Sequence, residues 1–109
     1  MPPLEAMATG LPIIITGWSG VMEYYKPEYA LKLDYKMVPA ENFTNVIYKE
    51  DCGNWAEPSL DDLIDKLKWA YNNRSKLKEM GKLASQEAHT NWQWKDKINM
   101  FHEALDKNL

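Results

Sequence analysis

The apolar positions divide the chain into two parts. Up to about residue 58 they come in short runs broken by glycine and proline; beyond it they recur at three- and four-residue intervals. "PPLEAMAT" predicts a short helix, because proline fits the first helical positions, where no ladder hydrogen bond is needed. Gly10 is placed to end it as a C-terminal cap. "LPIIIT", residues 11–16, is a continuous apolar run rich in β-branched residues, and predicts a strand buried on both faces of a parallel sheet. In "GWSGVMEYYKP", Gly17 and Gly20 mark a loop, Ser19 is a candidate cap, and "GVMEYY" is a short helix stopped near Pro27. "YALKLDYKMV" alternates Leu31, Leu33, Tyr35 and Met37 with Lys32, Asp34 and Lys36, the pattern of one half-buried strand parallel to the first. "FTNVIYKE" is a further strand candidate beside it.

From Ser59 onward the period is helical. Ser59 and Asp62 form a capping-box-like pair ahead of "LDDLIDKLKWAYNN". Leu60, Leu63, Ile64, Leu67, Ala70 and Tyr71 share one face of that helix. Asn73 is placed to cap the next, which carries Leu77, Met80, Ala84 and Ala88, with Gly81 marking a close contact. "NWQWKDKINMFHEAL" predicts a third, with Trp94, Ile98, Phe101 and Leu105 on one face. The order α-β-α-β followed by α-α-α predicts an α/β chain: a partial Rossmann-like parallel sheet with flanking helices and a helical C-terminal part.

Composition narrows the function classes. Of 109 residues 13 are basic and 16 acidic, for a net charge of −3, which argues against nucleic acid as a partner. The lone cysteine, Cys52, cannot form an internal disulfide and fits a reducing compartment; the acids beside it would raise a thiol pKa. No apolar run reaches the roughly 18 residues of a membrane span, and the first fifteen residues lack a basic secretory n-region. The sequons at Asn42 and Asn73 then read as chance. His89 and His102 lie on separate predicted helices, with no metal-ligand spacing.

The chemistry is concentrated in the first 23 residues. Sheets of this kind bind ligands at the carboxyl ends of strands and at helix N-termini, here near Pro2 and near Gly20. Glu5, one turn into the first helix, is either an acceptor for a pair of sugar hydroxyls or a complement to the helix dipole. Glu23 is either a ligand contact in the loop after the strand or a complement to the dipole near a helix start. Trp18, in the loop after the strand, is the best tryptophan for a ligand contact; Trp69 and Trp94 fall beside or on apolar stripes and are expected in the core.

"PPLEAMATGLPIIITGWSGVMEYY" resembles the donor-site segment of retaining glycosyltransferases of family 4, which have the two-domain GT-B fold. The family pattern is a glutamate, a glycine-containing loop, "PxxEAMAxGxPVI" and a loop with "GGxxE"; here Ser19 replaces the first of the two glycines. "WAEPSLDDLIDKL", "NNRSKLKEMGKLA" and "NWQWKDKINMFHEAL" resemble later segments more loosely, and residues 36–57 exceed the usual linker. The resemblance implies that residues 1–109 are the C-terminal part of a nucleotide-sugar-binding GT-B domain. The first family glutamate and the N-terminal acceptor domain would then lie upstream, so no catalytic residue falls in this chain. Glu5 would hold the ribose hydroxyls, the backbone at Met1, Pro2 and Leu4 would face the diphosphate, and Gly20 and Glu23 would border the donor. The implied reaction is hexosyl transfer from a nucleotide-diphosphate sugar to an acceptor hydroxyl with retention, without metal or cofactor, and without turnover by this chain alone. The implied location is cytoplasmic, which is compatible with a parent enzyme peripheral to the inner face of a membrane. Edge-to-edge self-association is a further expectation, since the sheet would be incomplete. Two other classes stand against this reading. One is a non-enzymatic α/β binding or interaction module; the other, a response-regulator domain, needs acids at strand ends that "PIIITG" lacks.

Overall fold

The computed structural model describes residues 1–40 and 52–109. The chain is mixed α/β: a small parallel sheet, a hairpin and, among the described residues, four α-helices, three of them in the C-terminal half. The order is α1 (Pro2–Ala8), β1 (Ile13–Thr16), a 3₁₀ helix (Ser19–Glu23), β2 (Ala30–Leu33), β3 (Tyr35–Pro39), β4 (Asn54–Pro58), α2 (Leu60–Asn72), α3 (Arg74–Asn91) and α4 (Trp94–Asn108).

α1 ends as expected at Gly10. Its amide donates to the Met7 carbonyl (2.9 Å), and that of Leu11 reaches back to Ala6 (3.0 Å). This is the Schellman arrangement, and it needs a left-handed residue at the first position beyond the cap; Gly10 supplies it with φ +83°. The turn delivers the chain directly into β1, which pairs in parallel with β2 in the register Ile13↔Ala30 to Thr16↔Leu33. Ile13 and Ile15 are buried and Ile14 half-buried. β1 is not central, however: β2 is its one neighbour among the described residues.

The single strand expected over residues 29–38 is two strands. The break is at Asp34, whose backbone is claimed by the start of α2: its N–H donates to Asp62 Oδ2 (2.8 Å), and its carbonyl accepts from the Ser59 amide (2.8 Å). The chain therefore leaves the parallel sheet there and enters a hairpin, β3 antiparallel to β4, in the register Tyr35↔Pro58 to Pro39↔Asn54. Tyr35 and Met37, expected on a buried face, are exposed. The strand candidate "FTNVIYKE" lies outside the described residues, and β3 pairs with residues 54–58, where the sequence pattern predicts no strand.

The core joins α1, the parallel sheet and α3: Met7, Ile13, Ile15, Tyr24, Tyr29, Ala30, Ala84 and Ala88. α3 reaches α1 closely because Gly81, Ala84, Ser85 and Ala88 form one small-residue face. The end of α1 is fastened to it by two bonds to the Ala8 carbonyl, from Ser85 Oγ (3.2 Å) and His89 Nε2 (3.1 Å). A carbonyl only accepts, so the imidazole proton sits on Nε2.

The helical stripes fare differently. Ser59 Oγ accepts the Asp62 amide (3.2 Å), as a capping residue should; Asn73 stands at the N-cap of α3 as expected, but its side chain donates back to the Trp69 carbonyl (2.7 Å) and makes no capping bond to α3. Leu60, Ile64, Leu67 and Tyr71 of α2 are exposed, and so are Trp94, Ile98, Phe101 and Leu105 of α4. Trp94, expected in the core, is 75% exposed. A radius of gyration of 17.5 Å, against about 13 Å for a compact chain of this size, reflects these uncovered helices. Among the described residues, no helix is long and apolar enough to cross a membrane.

Candidate functional site

α1 sets one boundary of the site. Its N-cap is Met1, and Pro2 and Pro3 occupy the first two helical positions. Proline preorganises φ there but carries no N–H. The Glu5 amide is bonded to the Met1 carbonyl (3.2 Å), so within the first turn Leu4 keeps the unbonded amide. A row of free amides facing a phosphate is thus reduced to one. Glu5 is exposed on the same turn, and its carboxylate has no hydrogen bond or ion pair with the described residues.

Beyond the carboxyl end of β1 the backbone turns sharply. The Trp18 amide donates to the Thr16 carbonyl (2.8 Å), and Ser19 takes the left-handed conformation with φ 68°. This conformation usually goes to glycine, since a β-carbon costs about 1–2 kcal/mol there. It falls where the family pattern has the first glycine of "GGxxE". Gly20, the second, has open space around its α-carbon and is not sterically required. Ser19 lies inside the 3₁₀ helix, whose N-cap is Trp18, so it does not cap it as expected. Glu23 ends that helix and is exposed.

This turn opens on a groove of about 530 Å³, lined among the described residues by Pro3, Ile15, Thr16, Trp18, Ser19, Val21, Asn54, Trp55 and Ala56. It lies where an α/β sheet is expected to take a ligand: outside the carboxyl end of a parallel strand, beside the first turn of a helix. None of Met1, Pro2, Leu4, Glu5, Gly20 and Glu23 lines it; their neighbours Pro3, Ser19 and Val21 do. Trp18 does line it, with its ring 5.4 Å from Tyr35 in a tilted contact. Asn54, Trp55 and Ala56 come from β4 and were missed, because only the hairpin pairing carries them to β1. No described side chain in the lining is ionisable.

The remaining candidates lie elsewhere. His89 is engaged in fastening α1, and His102 is exposed on α4. Among the described residues no group of three or more His, Cys, Asp or Glu side chains could hold a metal ion. Compared with known proteins, the chain matches no family model and no curated sequence.

Proposed function

We propose that this chain is the donor-binding part of a retaining glycosyltransferase, holding a nucleotide-diphosphate sugar for transfer to an acceptor hydroxyl. One observation carries the reading: the segment that resembles the family's donor motif folds as helix, Schellman turn, parallel strand and left-handed loop, with a groove at the strand's carboxyl end. The Glu5 carboxylate, which has no hydrogen-bond or ion-pair partner among the described residues, supports it as an acceptor for a ribose diol. So does Ser19, which holds the backbone conformation that the family's glycine would provide. Among the described residues the groove lining has neither an acid nor a base, so these side chains bind and do not themselves move protons. The diphosphate charge is met by groups outside the groove, the Leu4 amide being the one contribution from the start of α1.

The test is calorimetric titration of nucleoside diphosphates of each common base into the chain, beside a transferase assay with the matching nucleotide sugars. Binding of at least one diphosphate without turnover is expected. Failure of every diphosphate to bind overturns the reading in favour of a non-enzymatic interaction module. The uncovered apolar faces of α2 and α4 are what favours that second reading.

A further inference from the structure

Leu60, Ile64, Leu67 and Tyr71 stand exposed in one line along α2. Their intervals are four, three and four residues. At about 3.6 residues per turn they fall within about 60° of the helix circumference. A stripe that narrow is the seam of a coiled coil; the face that a helix lays on a sheet or a bilayer is broader. Asp61 and Lys68 border it on one side, both exposed, and neither forms an ion pair among the described residues. Leu63 and Ala70 border it on the other. The two ends of the stripe carry opposite charge. The Leu60 end borders a hollow of about 590 Å³ whose described lining holds three acids, Asp34, Glu57 and Asp61, against one base, Lys36. At the other end the Arg74 guanidinium lies 4.8 Å over the Tyr71 ring, and Lys76 shares a hollow with them.

We infer that α2 is the contact between two copies of this chain, paired antiparallel about a two-fold axis. Such a pair sets Leu60 against the partner's Tyr71 and Ile64 against the partner's Leu67. Residues on the same flank meet across an antiparallel pair, so Asp61 reaches the partner's Lys68, twice by symmetry. On the other flank Leu63 meets the partner's Ala70 and widens the apolar contact. The same alignment carries Tyr71 and the cation over it to the acidic hollow of the other copy. A parallel pair would instead lay acidic end on acidic end and align the helix dipoles. α4 repeats the intervals at Trp94, Ile98, Phe101 and Leu105, but its antiparallel self-pair sets Lys95 against the partner's His102, and an α2–α4 pair sets Lys68 against Lys95. Neither gains an ion pair there. The seam is short, so the dimer is weak, with a dissociation constant in the micromolar to millimolar range. The inference does not rest on the donor-site reading, since no residue of α2 lines the groove at β1.

Sedimentation equilibrium of the intact chain, from about 1 µM to about 1 mM, is the test, and a monomer–dimer equilibrium is the expected result. Leu67→Ala is expected to weaken association at least tenfold, and Phe101→Ala to leave it unchanged. Asp61→Lys and Lys68→Asp should each weaken it at least threefold, and the two together should restore it, because the reversed charges are again opposite. Unfolding midpoints of the dilute chain, where it is monomeric, report the fold of each variant separately. Leu60 and Tyr71 are about 16 Å apart along one helix. A magnetisation-transfer signal between them, in a sample mixing labelled and unlabelled chains, therefore arises only between copies. A chain that stays monomeric over the whole range overturns the inference; if it then binds phosphatidylcholine vesicles, the stripe belongs to a lipid surface. A dimer that survives Leu67→Ala, or that Phe101→Ala abolishes, overturns it as well and moves the contact to the edge of β1 or to α4. So does a double charge reversal that restores nothing, or a dimer without the Leu60–Tyr71 signal. None of these outcomes bears on the donor-site reading, which the diphosphate titration tests by itself.

Discussion

Gly81 of α3 and Gly10 of the α1–β1 turn meet backbone to backbone. A β-carbon on Gly81 would overlap the Gly10 carbonyl oxygen and lie 3.0 Å from its carbon. The contact joins a helix of the C-terminal half to the turn that feeds the first strand. Neither side can yield by rotating a side chain, so what fixes the spacing of α1 and α3 is the absence of one methyl group.

Gly81→Ala is therefore expected to destabilise the chain. Alanine gains about 1 kcal/mol over glycine in a helix interior, but overpacking costs about 1–3 kcal/mol, and here the colliding atoms are backbone. The clash wins. The urea midpoint should fall, whereas Gly20→Ala, which meets open space, should leave it nearly unmoved.

Burial separates two residues that the sequence pattern treats alike. Met7 is fully buried and Phe101 is 62% exposed, although both are large apolar residues of predicted helices. Met7→Ala should cost about 2–5 kcal/mol. Phe101→Ala should stay within about 0.5 kcal/mol. Equal losses in urea denaturation would mean that α4 is covered in solution.

Tyr29 makes stability depend on alkaline pH. Its hydroxyl donates to the Tyr24 carbonyl, and burial, with Glu87 and Glu28 nearby, pushes its pKa from 10.0 to about 12. The folded state holds this proton more tightly than the unfolded state. Its contribution is complete below pH 10 and is lost as the pH rises toward 12. Tyr29→Phe should lose about 1 kcal/mol at pH 7, where the hydrogen bond is gone, and decline less steeply between pH 10 and 12. Denaturant titrations at stepped pH measure both.

Asp62 acts in the opposite direction. The hydrogen bond from Lys66 (2.6 Å), then that from the Asp34 amide, lower its pKa below 3.8. Its contribution is present above the ordinary carboxylate range and is lost as the pH falls through the lowered value. Asp62→Asn should be less stable than the parent at pH 7, and the gap should narrow as the pH falls below the ordinary carboxylate range. A gap that persists in acid would assign the effect to packing instead of charge.

Glu5→Gln tests the donor-site reading at a single residue. An unpaired carboxylate that bonds two ribose hydroxyls contributes charge-assisted bonds of roughly 1.5–3 kcal/mol each. Calorimetry should show nucleoside diphosphate affinity falling by at least about tenfold, or 1.4 kcal/mol. The melting temperature should hold, because the carboxylate has no hydrogen-bond or ion-pair partner among the described residues. Unchanged affinity would leave Glu5 as a complement to the helix dipole.

The local features were legible in the sequence by itself. Pro2 and Pro3 start α1, Gly10 stops it, the isoleucine run makes a parallel strand, and Ser59 caps α2, because each depends on residues within one or two turns. The close contact at Gly81 was legible too, as a glycine on a helical apolar face. Tertiary structure alone decided which faces are covered: a helical period tells which residues share a face, not whether another element lies on it, so Leu60 and Phe101 read as core and stand exposed. It also decided the break at Asp34, whose backbone partners Ser59 and Asp62 are distant in sequence. The groove follows from the same break. Turning the chain out of the parallel sheet there creates the hairpin, and antiparallel pairing of residues 35–39 with 54–58 is what brings Trp55 to the loop that holds Trp18.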